Sequence, residues 1–129
     1  MSAFIGLGVP NWDIRDAQKG TDMLVKTPYL GEHLARQLGK HPAVLMRGHG
    51  STVVGENLQR AVGRTIYLEM NARMQFQATV LAGSSGKIVF MADAEVAANV
   101  SWQNYERSWN LWRTRALAKL AAEKGSIQE

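Results

Sequence analysis

The chain has 129 residues, 46% of them hydrophobic, and this length predicts one domain spanning residues 1–129 around a single core. No apolar segment approaches the roughly 20 residues that cross a bilayer, and the N-terminus lacks the pattern of a signal peptide, so we expect a cytoplasmic protein without a membrane partner. The absence of cysteine excludes disulfides and thiolate metal sites, and a net charge of +4 without a nucleic-acid-binding motif argues against nucleic acid as a partner.

The first half of the chain contains a predicted loop, a helix and two short strands. Apolar positions from Thr21 to Leu38 suit helical spacing, although Pro28 is typical of the start of a fresh helix after an extended piece. Gly39 is typical of the residue that follows a helix end. The strands are short apolar or β-branched segments on either side of a glycine-rich turn. In order, the loop, the helix and the strands are predicted at residues 1–19, 28–38, 43–47 and 51–54.

The second half contains two longer helical patterns. Asn57 is a plausible N-cap for a helix that runs to about Ala82, with Gly83 beyond it. A short strand is predicted at residues 87–90, and Asp93 can cap a last helix that reaches residues 119–124. An aromatic stripe lies along this last helix at spacings of three and four residues, and it consists of Trp102, Tyr105, Trp109 and Trp112. We expect this stripe to be at least partly buried.

The long helix carries a carboxylate within its apolar stripe. Glu69 lies eleven residues after Leu58, at nearly the same angle around a helix of 3.6 residues per turn. We therefore expect Glu69 to be buried and satisfied by backbone N–H groups or by Arg64 or Arg73. A buried carboxylate could instead orient a metal-bound histidine.

His49 is the first candidate for chemistry. It lies between Gly48 and Gly50, where the backbone can turn sharply and leave the imidazole open to a metal ion or a substrate. A merely solvated turn histidine is the alternative. The three histidines, His33, His41 and His49, follow one another at intervals of eight residues, and neither helix nor strand periodicity brings side chains at that spacing together. We therefore expect His33 on an exposed helix face and His41 in a loop.

Residues 47–76, RGHGSTVVGENLQRAVGRTIYLEMNARMQF, resemble the class II aldolase/adducin family. Its members carry a G-H-G or N-H-G turn between two strands, a glycine soon afterwards and a helix whose E-x-x-A signature matches Glu69 to Ala72. The segments GEHLARQLGKHPAVLM and DAEVAANV extend the resemblance over nearly the whole chain. Within the family, FIGLGVPNWDIRD and MRGHG look closest to metal-dependent decarboxylases of dihydroxy-aromatic or muconic-semialdehyde acids.

The resemblance implies an α/β fold, a layered α-β-α sandwich of the class II aldolase type, of which this chain would cover roughly the C-terminal half. It also implies that His49 is the last of three histidine ligands of a divalent metal ion, commonly zinc, with manganese, cobalt or magnesium as alternatives. The family's other two ligands lie in an H-x-H motif on a preceding strand, and this sequence has no such motif. We therefore expect a complementing N-terminal half and weak metal binding by this chain alone.

The implied function is a metal-dependent carbon–carbon lyase, either an aldolase or a decarboxylase, for a small hydroxy-acid or sugar-phosphate substrate. Arg47 is a candidate for binding a substrate carboxylate, and an ion pair within the protein is the alternative. Family members form active sites between subunits, so we expect a homo-oligomer in which Tyr105 is a candidate catalytic proton donor. The alternative function is a non-catalytic structural or assembly module of the adducin type.

Overall fold

The computed structural model of the chain describes residues 2–83, 86–101 and 105–125. The main elements are β1 (Asn11–Trp12), α1 (Pro28–Leu38), β2 (Ala43–Met46), β3 (Gly50–Val53), α2 (Leu58–Ala82), α3 (Asp93–Ser101) and α4 (Glu106–Gly125). Two 3-10 helices, Ser2–Ile5 and Ile14–Asp16, lie on either side of β1. This mixture of helices around a small sheet confirms the predicted α/β class.

The described strands form one sheet in the order β1, β2, β3, in which β1 is parallel and β3 antiparallel to β2. In the β2–β3 hairpin, Met46 pairs with Gly50 at the end that carries His49. At the other end, the Val54 N–H donates to the Pro42 carbonyl across 2.9 Å. The four residue steps from Pro42 to Met46 make the hairpin about 14 Å long, at roughly 3.4 Å per step.

One hydrophobic cluster joins α1 to the sheet. The Thr27 side chain caps α1 by accepting the N–H of Leu30, and Pro28 occupies the first turn. The buried side chains of the cluster come from β1, the following 3-10 helix, α1 and β2: Trp12, Ile14, Leu30, Val44 and Met46. The predicted loop at residues 1–19 is therefore corrected, because it contains a strand, two 3-10 helices and the core side chains of Ile5, Trp12 and Ile14.

A second cluster joins the N-terminal 3-10 helix to α2 and α4. The ring of Tyr67 stacks on Phe4 with centroids 4.2 Å apart and meets the edge of Trp112 at 5.9 Å. Tyr105 is buried in the same cluster. The expected burial of the aromatic stripe, at least in part, is thus confirmed for Tyr105, Trp109 and Trp112, whereas Trp102 lies outside the described residues.

Two predicted elements in the second half are wrong in detail. The single last helix is two helices, because α3 ends at Ser101 and α4 begins at Glu106. Residues 87–90 form no strand, and Val89 and Phe90 are largely exposed. A short segment such as KIVF forms a strand only where a partner strand is available, and a local pattern does not reveal the partner.

The prediction for α2 is correct in its ends and wrong in the burial of Glu69. The Asn57 side chain caps α2 by accepting the Arg60 N–H at 2.9 Å, and Gly83 follows its end. The Glu69 side chain is 61% exposed and forms an i,i+4 ion pair with Arg73 at 2.5 Å. Phe76 further along α2 is also exposed, so the apolar stripe is left uncovered there by the described chain. No described helix is both long and apolar enough to cross a membrane.

Candidate functional site

His49 lies at the tip of the hairpin, in the turn of residues 47–49 between β2 and β3. Its backbone N–H donates to the Met46 carbonyl across 3.0 Å. The neighbouring Gly48 and Gly50 have φ angles of 67° and 138°, a region that favours glycine. The side chain is exposed. The turn therefore has the geometry predicted from its glycines, and the imidazole is accessible from solvent.

Arg47 is held beside His49 by contacts with the residues around β1. Its Nε lies 2.8 Å from Oδ2 of Asp13, and its backbone N–H donates to the Trp12 carbonyl across 2.9 Å. The side chain remains 47% exposed. The ion-pair alternative for Arg47 is therefore present in the structure, while the binding of a substrate carboxylate stays a prediction.

Asp13 is a site residue that the sequence interpretation missed. It accepts hydrogen bonds from the Arg15 side chain and backbone and also pairs with Arg47. The Arg15 hydrogen bond, more than any other contact, holds the pKa of Asp13 far below its usual range against the opposing effect of burial. The only local signal was the D-I-R-D segment, since the approach to Arg47 depends on the parallel pairing of β1 with β2.

The described residues do not fit a complete metal site. They contain no group of three histidine, aspartate or glutamate side chains that could hold one ion. His33 is half-buried rather than on an exposed face, because its Nδ1 accepts the indole N–H of Trp12 at 2.8 Å. His41 lies near the opposite end of the hairpin. His49 alone can contribute one ligand, where a catalytic zinc typically has three from the protein.

Tyr105 lies against the first turns of α2, beside the end of the hairpin remote from His49. It is 4% exposed, and the guanidinium of Arg60 lies 5.9 Å from its ring centroid. Burial raises the pKa of its phenol, and Arg64 partly opposes this shift. Arg47 and His49 thus lie together in the hairpin turn, whereas Tyr105 lies away from them, against α2. A catalytic role of Tyr105 in the site of a neighbouring subunit stays a prediction.

Comparison with known proteins places this hairpin inside a recognised domain. Residues 4–76 match the model of the family described as Class II Aldolase and Adducin N-terminal domain. The chain is 33% identical over 132 residues to decarboxylase tropJ of Talaromyces stipitatus, an alignment that covers 87% of this chain and 50% of that protein. It is also 37% identical over 73 residues to 3,4-dihydroxyphthalate decarboxylase of Rhodococcus jostii, covering 57% of this chain.

A third relative, 3,4-dihydroxyphthalate decarboxylase of Terrabacter sp., is 33% identical over 66 residues, which is 51% of this chain. The alignments with the two dihydroxyphthalate enzymes cover 28% and 29% of those proteins. This chain therefore spans half or less of the length of the curated relatives that it matches.

Proposed function

Because this chain belongs to the class II aldolase and adducin family, as its sequence resemblance predicts, we propose that it forms part of a carbon–carbon lyase. Its similarity to three decarboxylases supports this reaction class and favours decarboxylation over aldol cleavage. The proposed substrate is a small hydroxylated aromatic acid, the type of compound that the names of two relatives state. Sugar phosphates, the other substrate class of the resemblance, are the alternative.

The observation that carries the proposal is the exposed His49 at the hairpin tip, fixed between two glycines in positive-φ conformations. We propose that its imidazole is one ligand of a divalent metal ion, with zinc favoured over manganese, cobalt or magnesium. The remaining ligands come either from a complementing segment or from another subunit of a homo-oligomer. We derive no catalytic step through this ion, because the described residues alone do not hold it.

Arg47 is the proposed contact for the substrate carboxylate. A guanidinium can bind a carboxylate through two parallel N–H donors, and the pairing of Nε with Asp13 fixes the plane of this one beside His49. Its exposed fraction of 47% leaves the side chain accessible to a ligand from solvent. Arg47→Lys would keep the charge and lose the planar geometry, so we expect weaker substrate binding with unchanged metal content.

The test compares His49→Ala with His41→Ala, a matched change at an exposed histidine near the other end of the hairpin. Each variant and the wild type are co-expressed with a segment of the family that carries the H-x-H motif. Elemental analysis and carbon dioxide release from 3,4-dihydroxyphthalate are then measured on the purified complexes. We expect the wild type and His41→Ala to retain metal and activity, and His49→Ala to lose both while staying folded.

Equal metal content in the His49→Ala and wild-type complexes would contradict the ligand assignment. Full activity of the unassisted 129-residue chain would contradict the need for a complementing segment. A stable complex without metal or turnover would favour the non-catalytic, adducin-like assembly function.

A further inference from the structure

An open cavity of about 530 Å³ lies at the end of the β2–β3 hairpin remote from His49. It is bounded by the N-terminal segment at Phe4 and Gly6, the connection from α1 to β2, the connection from β3 to α2 and the first turns of α2. This volume lies within the roughly 300–1,000 Å³ typical of small-molecule sites. The hairpin separates the cavity from the His49 turn by about 14 Å. The cavity is therefore a place distinct from the proposed lyase site.

The charges that line the cavity are mostly positive. Its lining contains three cationic side chains, Lys40, Arg60 and Arg64, and one carboxylate, that of Glu56. Glu56 lies 3.5 Å from Arg60 and 3.4 Å from Arg64, whereas charge-assisted hydrogen bonds are typically about 2.7–2.9 Å long. The Glu56 side chain is also 63% exposed. Its single charge therefore balances the three cations incompletely and holds the two arginines loosely.

The two arginines are already oriented by other contacts. Nη1 of Arg64 donates to the Val54 carbonyl across 2.7 Å, and its side chain is only 14% exposed. The buried Nε of Arg64 has no hydrogen-bond acceptor within the described part of the chain. The guanidinium of Arg60 lies over the ring of Tyr105. Donors that are held in place before a ligand arrives lose less conformational freedom on binding.

The backbone brings the cavity walls close to one another. A Cβ at Gly55 would lie 2.6 Å from the backbone nitrogen of Ala61, so only glycine permits this approach of the β3–α2 connection to α2. The approach places the connection at the positive end of the helix dipole of α2. The dipole therefore adds to the positive potential that the three side chains create.

We propose that this cavity binds the oxyanion group of a small molecule, a carboxylate or a phosphate. The anion pairs with Arg60 and Lys40 and displaces the loosely held carboxylate of Glu56. This site does not depend on the proposed lyase activity, because it involves neither His49 nor Arg47.

The experiment titrates inorganic phosphate and, in a separate series, succinate into the full chain by calorimetry, with chloride keeping the ionic strength constant. We expect saturable binding of at least one anion. Arg60→Gln and Lys40→Gln should each weaken it about tenfold, since each removes a charge-assisted contact. Glu56→Gln should strengthen binding about threefold to tenfold by removing the competing carboxylate.

Two control variants separate this site from the rest of the surface. Arg36→Gln removes an exposed arginine of α1 that pairs with Glu32 outside the cavity, and it should leave the affinity unchanged. His49→Ala should also leave it unchanged, so that failure of the lyase proposal is distinguishable from failure of this one.

Binding of phosphate alone or of succinate alone would each support the site and identify the preferred anion. Absence of saturable binding of both anions would overturn the proposal. Equal weakening by Arg36→Gln and Arg60→Gln would also overturn it, because the binding would then be a general effect of surface charge. The gain expected for Glu56→Gln guards against misfolding as an explanation, since an unfolded variant cannot bind more tightly.

Discussion

Arg47 Nε lies 2.8 Å from Asp13 Oδ2, so the residue that follows β1 fixes the arginine that precedes the Gly48–His49–Gly50 turn. The Arg47 backbone N–H is held as well, by the carbonyl of Trp12. The parallel pairing of β1 with β2 creates both contacts. Asp13 is therefore a positioning residue for the hairpin tip, acting through Arg47.

We expect Asp13→Asn to destabilise the protein near neutral pH more than Asp16→Asn, a matched change at an exposed aspartate of the same 3-10 helix. The pKa of Asp13 is lowered from its ordinary value of 3.8 in the folded state. Its contribution to stability is therefore fully present above about pH 5 and is lost progressively as the pH falls below about 4 towards the strongly lowered folded-state pKa. Urea unfolding should show a difference from wild type that is constant above about pH 5 and shrinks towards pH 3. A residual difference at about pH 3 is expected because the folded-state pKa is strongly lowered, whereas a difference as large at about pH 2 as at about pH 7 would contradict this account.

The hydrogen bond from Trp12 to His33 gives a second prediction. His33→Leu leaves the buried indole N–H without its acceptor, which typically costs about 1–3 kcal/mol of unfolding free energy. His41→Leu, at an exposed loop position, should change stability by less than about 0.5 kcal/mol. Combining His33→Leu with Trp12→Phe should cost less than the sum of the single changes. If the losses of unfolding free energy of the two single variants add up to that of the double variant, the hydrogen bond makes no contribution to stability.

The parts of the fold that the sequence predicted correctly are those with local signals. The cap at Asn57, the glycine at position 83 and the glycines around His49 each act on their immediate neighbours, and the structure has α2 and the hairpin where these signals place them. β1 was missed because it has only two residues, and its partner strand begins more than 30 residues later. A strand of that length has no periodicity of its own.

In the candidate site, too, only the residues with a local sequence signal could be predicted. His49 and Arg47 follow from the turn, whereas the contacts of Asp13 with Arg47 and of Trp12 with His33 require the tertiary arrangement. For Glu69, helical spacing places the side chain on the same face of α2 as Leu58, but the buried residues of this helix are Gly63 and Tyr67. Spacing does not reveal whether another element covers that face, and in the described chain none buries Glu69.

The exposure of Glu69 gives a third prediction. Its i,i+4 ion pair with Arg73 joins two side chains that are each more than half exposed, a type of pair that typically contributes about 0.3–0.5 kcal/mol. Glu69→Gln should therefore change the free energy of unfolding by less than about 0.5 kcal/mol. Glu69→Leu should be similarly mild. A loss above about 1 kcal/mol in either variant would indicate that the assembled protein buries this carboxylate after all.

The last prediction compares two glycines that lie within helices. A Cβ at Gly63 of α2 would lie 2.2 Å from Cδ1 of Tyr105, far inside any permitted contact, so alanine there requires the ring or the helix to move. The ring cannot move freely, because it is buried and meets Phe4 edge-on at a centroid distance of 5.3 Å. We expect Gly63→Ala to lower the free energy of unfolding by about 1–3 kcal/mol.

Gly31 of α1 provides the matched control. A Cβ at Gly31 meets no other atom within 4 Å, so Gly31→Ala should raise stability by about 0.4–1 kcal/mol through the reduced freedom of the unfolded chain. In a Tyr105→Leu background, Gly63→Ala should cost less than in the wild type, because the atoms that collide with the new methyl group are those of the ring. Urea unfolding followed by circular dichroism measures all four variants. Stabilisation by Gly63→Ala equal to that by Gly31→Ala would mean that Tyr105 does not pack on α2 at this glycine.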